Sequence, residues 1–153
     1  MNSASKTSIL ALVVGPAATA THRSPSLRIT GPQWKTVLEA LDAQHVSPDR
    51  ILIMDSSSAD ENVAAASDHG CEICVIARSE FNHGGTRQLA AEMLADMDVI
   101  IYMTQDALLS GPDALLRLVS AFSDPRVGCA YGRQLPSPDS RAIGAHARLF
   151  NYP

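Results

Sequence analysis

Asp98-Val-Ile-Ile-Tyr-Met-Thr-Gln-Asp106 is the stretch whose reading decides the fold. Val99 to Met103 is apolar at every position, which fits a central parallel strand buried on both faces better than a half-exposed one. It runs straight into a polar turn, Thr104-Gln105-Asp106-Ala107. Open α/β sheets bind ligands beyond the carboxyl ends of such strands, so Asp106 falls where chemistry is expected. A carboxylate there is a natural handle for a divalent cation bridging phosphate oxygens. Taken alone, the residue reads equally well as a solvated loop aspartate.

Working outward, Arg50-Ile-Leu-Ile-Met-Asp55 reads as a second buried strand that also ends in a carboxylate. Ile9 to Val14 and Glu72 to Ala77 are two more strand candidates, and Gly15 to Gly31 is a long Ala/Thr/Ser/Pro loop. A helix begins near Pro32, with Trp34, Val37, Leu38 and Leu41 at i, i+3, i+4 and i+7. Ser58-x-x-Glu61 forms a capping box for the next helix, which Gly70 ends. In Phe81-Asn-His-Gly-Gly-Thr-Arg87, two glycines precede a helix with Thr86 as N-cap and Leu89, Met93 and Met97 as its buried positions. Gly84 and Gly85 would let the backbone approach an anion at the helix's unpaired N–H groups, although Gly-Gly also reads as a plain turn.

Beyond Asp106, Ser110-Gly-Pro-Asp113 starts a helix striped by Leu115, Leu118, Val119 and Phe122, which Asp124-Pro125 ends. Val127 to Tyr131 is a fifth strand candidate, and residues 137–153 carry no clear period. Strands and helices alternating at short intervals specify an α/β fold with a mainly parallel sheet and right-handed crossovers. The carboxyl edge of that sheet, with Asp55, Asp106 and the Gly-Gly turn, is the candidate site.

The 153 residues suffice for one domain spanning 1–153, with 1–8 polar and loose. A net charge of −4 without a basic cluster argues mildly against a nucleic-acid surface. No apolar run approaches the roughly 20 residues of a membrane span. Lys6, Ile9–Val14 and Ala18-Thr-Ala20 loosely imitate a signal peptide, but Gly15-Pro16 cuts the apolar run short and a buried strand explains it equally well. Cys71 and Cys74 share the C-x-x-C spacing of redox and zinc sites, yet no second pair follows and they lie on a strand-like run. They read as packing residues, with reduced thiols and a cytoplasmic setting as the default.

Asp55-Ser-Ser-Ser-Ala-Asp60, Phe81-Asn-His-Gly-Gly-Thr-Arg87, Thr104-Gln-Asp-Ala107, Tyr131-Gly-Arg-Gln-Leu-Pro136 and Phe150-Asn-Tyr-Pro153 together resemble family 2 glycosyltransferases, and within them the bacterial rhamnosyltransferase branch. The resemblance spans residues 50–153 in order and is weaker before that. It implies a three-layer, Rossmann-like GT-A fold, of which this chain is the nucleotide-sugar-binding half. The donor would be a dTDP- or UDP-sugar and the acceptor a glycan, with inversion at the transferred sugar, possible rhamnose, and a place in polysaccharide synthesis in the cytoplasm or at the inner membrane face. Asp55 would contact the base or ribose. Gln105-Asp106 falls on the family's Asp-x-Asp position, so Asp106 would hold Mg²⁺ or Mn²⁺ with Gln105 beside it. Arg87-Gln88 stands where the family has Arg-Asn. His83, Gly84, Gly85 and Arg87 are candidates for phosphate contact, His83 having a structural hydrogen bond as its other reading.

The departures from the family pattern carry expectations too. Gly15-Pro16-Ala17-Ala18 replaces the family's usual Pro-x-Tyr-Asn after the first strand. The chain stops before the family's catalytic base and acceptor contacts, so no catalytic residue is nominated, Asp139 included. The isolated chain is expected to be inactive, either as part of a transferase or as a non-catalytic nucleotide-sugar-binding or assembly domain. Ile143, Leu149, Phe150 and Tyr152 load the tail with apolar surface, from which a homodimer is expected.

Overall fold

A computed structural model describes residues 32–56, 60–104, 107–136 and 142–151. The elements are α1 (Pro32–Asp42), β1 (Leu52–Asp55), α2 (Asp60–Asp68), β2 (Glu72–Val75), α3 (His83–Met93), α4 (Ala114–Ser120) with a 3₁₀ turn at Ala121–Ser123, and α5 (Ala142–Asn151). The chain divides into two compact units, one of residues 1–43 and 47–108, the other of 44–46 and 109–153.

The first unit is built on β1 and β2, which pair in parallel from Leu52↔Glu72 to Asp55↔Val75. All four residues of β1 are buried, as its unbroken apolar run requires. Leu52 and Met54 pack against Ala90 and Leu94, with Cys74, Ile76, Met97 and Ile100 around them. Burying each of the larger side chains contributes about 1.5–3 kcal/mol. Pleating turns Ile53 and Asp55 to the opposite face. In α1, Val37, Leu38 and Leu41 are buried as their spacing predicts. His69 Nε2 lies 3.2 Å from Asp42 Oδ1, joining the ends of α2 and α1. Gly70 stops α2 at φ +83°, a conformation other residues rarely take.

Arg50 fixes the amino edge of this unit. Its guanidinium grips both oxygens of Glu72, at 2.7 and 2.9 Å, and reaches Asp96 Oδ1 at 2.8 Å. That hydrogen bonding holds the Glu72 carboxyl below the usual carboxylate range. A carboxyl depressed in this way supports the fold above its unfolded pKa and ceases to do so as the pH falls through its lower folded value. The Arg50–Asp96 contact also sets the direction of α3. Asp96 lies just past the helix's carboxyl end and Arg50 just before β1, so α3 runs against the strands. Its 11 residues span about 16 Å, close to the roughly 17 Å from Arg50 to Asp55. The start of α3 therefore lies at the carboxyl edge of β1 and β2.

The second unit begins with a long-range cap. Gln44 Oε1 accepts from Leu115 N at 3.1 Å, and its Nε2 donates to Gly111 O at 2.8 Å. His45 N donates to Pro112 O at 2.8 Å, and His45 Nδ1 lies 2.8 Å from Asp113 Oδ1. Asp113 occupies the N-cap position of α4 without a side-chain capping bond. The amide of Leu115 is satisfied instead by a side chain 71 residues away.

Several elements differ from the sequence expectations. Val99 and Met103 are buried, but the run makes only an isolated bridge at Val99 and is no strand among the described residues. Apolarity specifies burial, whereas a ladder also needs a neighbour in register. Val127 to Tyr131 is not a strand either, and residues 128–131 are exposed, so little burial drives pairing there. The tail, without a visible period, forms α5, with Ile143 at 86% and Phe150 at 75% exposure. The strand expected at 9–14, the loose terminus at 1–8, and Ser58 of the capping box lie outside the described residues.

Candidate functional site

β1 ends in two buried polar residues, Asp55 at 5% and Ser56 at 2% exposure. The Asp55 carbonyl accepts from Ile76 N at 2.7 Å, which continues the parallel pairing past the strand end. Ser56 Oγ is fully buried without a hydrogen-bond partner among the described residues. An orphaned hydroxyl of this kind costs about 1–3 kcal/mol. Its position next to Asp55, at the edge where α/β sheets bind ligands, makes it a site feature that the sequence reading passed over. A serine in a serine-rich run carries no signal of its own burial.

The start of α3 occupies the same edge, with a different cap from the one expected. Asn82, extended at φ −145° and ψ 144°, is the N-cap, and its Oδ1 accepts from Gly85 N at 2.6 Å. Thr86 is instead a buried residue inside the helix, followed on the same face by Ala90 and Leu94. Leu89 and Met93, expected to be buried, are each 38% exposed. The helix starts at His83, and Ala90 and Leu94 of the 86/90/94 stripe pack on Leu52 and Met54 of β1. The two glycines thus form the first turn rather than precede it.

The Asn82 cap bears on anion binding. It already occupies the Gly85 N–H, one of the donors a phosphate would use, while His83, Gly84 and Arg87 are exposed. His83 makes an edge-on ring contact with Phe81, with centroids 5.2 Å apart. Gln88 Nε2 donates along the helix to Glu92 Oε1 at 2.9 Å. The Tyr102 hydroxyl donates to the Arg87 carbonyl at 3.1 Å, tying the 99–103 run to the first turns of α3. An aromatic with a polar tip inside an apolar run is a signal for such a tie.

The cap also separates the two glycines. A Cβ at Gly85 would stand 2.8 Å from Asn82 Nδ2, whereas at Gly84 the nearest atom is 3.8 Å away. Gly84→Ala is expected to stabilise by up to about 1 kcal/mol through helix propensity. Gly85→Ala gains the same propensity but displaces the cap, and should fall below Gly84→Ala by about 1 kcal/mol. Urea unfolding of both substitutions, alone and with Asn82→Ala, checks this. In the Asn82→Ala background the difference should vanish.

Gln105 and Asp106 lie outside the described residues; beside them, Ala107 N donates to Thr104 O at 3.0 Å. No group of three or more His, Cys, Asp or Glu side chains gathers among the described residues. Cys71 and Cys74 are free and half-buried. Burial, assisted by the charge of Asp42, pushes the Cys71 thiol up, which suits packing rather than thiolate chemistry. No described helix is long and apolar enough to cross a membrane.

Glycosyl transferase family 2 matches residues 33–152. The O-antigen chain rhamnosyltransferase RfbN of Salmonella typhimurium is 47% identical over 123 residues, which cover 80% of this chain and 39% of that protein. The O-antigen chain rhamnosyltransferase WbaN of Salmonella anatum is 40% identical over 120 residues, covering 78% of this chain and 38% of that protein. The chain thus spans well under half the length of these relatives.

Proposed function

The chain belongs to glycosyl transferase family 2, and from that premise we propose that it is the nucleotide-sugar-binding half of an inverting glycosyltransferase with a Rossmann-like GT-A sheet. The rhamnosyltransferase relatives favour rhamnose as the sugar, a dTDP- or UDP-linked donor, and a glycan acceptor in O-antigen synthesis. Such a protein would work in the cytoplasm or at the inner membrane face. The observation that carries this reading is that β1 ends in the buried carboxylate of Asp55, within the residues the family matches.

In this reading Asp55 takes the base or ribose of the donor. The exposed His83, Gly84 and Arg87 face the phosphates, with Gly85 contributing only if the Asn82 cap gives way. Asp106 offers the hard oxygen ligand that Mg²⁺ or Mn²⁺ prefers, beside Gln105. When bound, the cation neutralises charge on the departing diphosphate as a Lewis acid. Tyr102 holds the first turns of α3 through the Arg87 carbonyl and so keeps the phosphate contacts in place.

Calorimetric titration of the purified chain with dTDP and UDP in Mn²⁺ tests the reading. Saturable binding of either is expected, and binding of neither would overturn it. A non-catalytic nucleotide-sugar-binding domain would bind in the same way, and sugar transfer once an acceptor-binding half is supplied separates the two.

A further inference from the structure

We propose that the Phe81 ring reads the C6 position of the donor sugar, favouring a methyl group there over a hydroxymethyl. The inference rests on the donor-binding reading above and extends it from the nucleotide to the sugar. Residues 77–80 and 82–85 are exposed, and Phe81 between them is half-buried. An apolar residue directly before an N-cap often packs on the fourth helical residue. With Asn82 as N-cap, that residue is Thr86, a buried polar residue rather than the usual apolar partner. Phe81 meets the His83 ring instead, with centroids 5.2 Å apart and planes at 80°. Two rings meeting at nearly a right angle form a corner, with an apolar wall along Phe81. The corner stands at the start of α3, on the edge where α/β sheets take their ligands.

In the donor reading this turn faces the phosphates, and the sugar is joined to the outer of the two. The group next to the phosphate contacts is therefore the sugar. In a 6-deoxy sugar such as rhamnose, C6 is a methyl and the only carbon that carries no oxygen. An aromatic wall takes a methyl out of water favourably, whereas a hydroxyl pressed against it loses a hydrogen bond. A closed apolar pocket rejects an added hydroxyl by about 100-fold, and a corner open on its other sides should reach about tenfold.

The wild-type chain, Phe81→Ala and Phe81→Tyr are titrated by calorimetry with dTDP and UDP. Each nucleotide is used free, linked to rhamnose, and linked to mannose of the same hand, which differs only by a hydroxyl at C6. The wild type should bind the rhamnose form about tenfold more tightly than the mannose form. Phe81→Ala should bring the two level while leaving free nucleotide affinity unchanged. Phe81→Tyr keeps the ring and should keep the preference. A wild type that binds both forms equally, or mannose better, overturns the inference whatever the variants do. So would a preference that survives in Phe81→Ala. An equal loss of every ligand there, free nucleotide included, would make Phe81 purely structural and overturn it too. A wild type that binds neither free nucleotide overturns the donor-binding reading itself, and this inference falls with it.

Discussion

Asp106→Ala is expected to abolish the Mn²⁺-dependent part of dTDP or UDP binding while leaving the metal-free part unchanged. Divalent cations at diphosphates are typically held by one or two protein carboxylates together with the phosphate oxygens. Removing a carboxylate ligand therefore removes much of what the protein contributes to the ion. Loss of a partner one shell further out typically costs about 10–100-fold in metal affinity, and loss of the ligand should cost at least that. Asp106→Asn keeps an oxygen donor without its charge and should fall between the two. Titrations with and without Mn²⁺ measure the difference directly. Equal binding by wild type and Asp106→Ala in Mn²⁺ would make Asp106 a solvated loop residue.

Leu94→Ala is expected to be the costliest of the α3 substitutions. Leu94 is fully buried and packs with Leu52 and Met54 of β1 and with Ala90. Truncating such a residue removes its transfer free energy and leaves a cavity, together about 2–5 kcal/mol. Leu89→Ala and Met93→Ala should each cost under about 1 kcal/mol, because both side chains are partly in water already. Urea denaturation of the three variants tests which face of α3 meets the sheet. Equal costs for all three would restore the 89/93/97 face that periodicity alone suggested.

That helix shows where local pattern stops being sufficient. Its existence was legible from Phe81-Asn-His-Gly-Gly-Thr-Arg87, but both Asn82 and Thr86 can cap a helix. Choosing between them moves the start by several residues, and which stripe meets the core is a second and separate choice. The choice depends on whether Leu94 or Met93 fits against Leu52 and Met54, which the helix sequence does not contain. The 99–103 run is a second example. Its apolarity was readable and Val99 and Met103 are indeed buried, yet a strand also requires a partner in register.

What the sequence by itself determined is whatever rests on short-range order: the buried β1 run ending at Asp55, the α1 stripe, the stop at Gly70 and the ordered motifs that mark the family. These follow from 3.6-residue periodicity, unbroken apolar runs and glycine's backbone freedom, all set within a few residues. The tertiary structure alone decided the Asn82 cap and its claim on the Gly85 amide, the Tyr102 tie to Arg87, the capping of α4 by Gln44 and the burial of Ser56 without a partner among the described residues. Each is a question of which polar group a donor or acceptor finds. Except at the Asn82 cap, where helix register decides it, that answer depends on segments brought together only by folding.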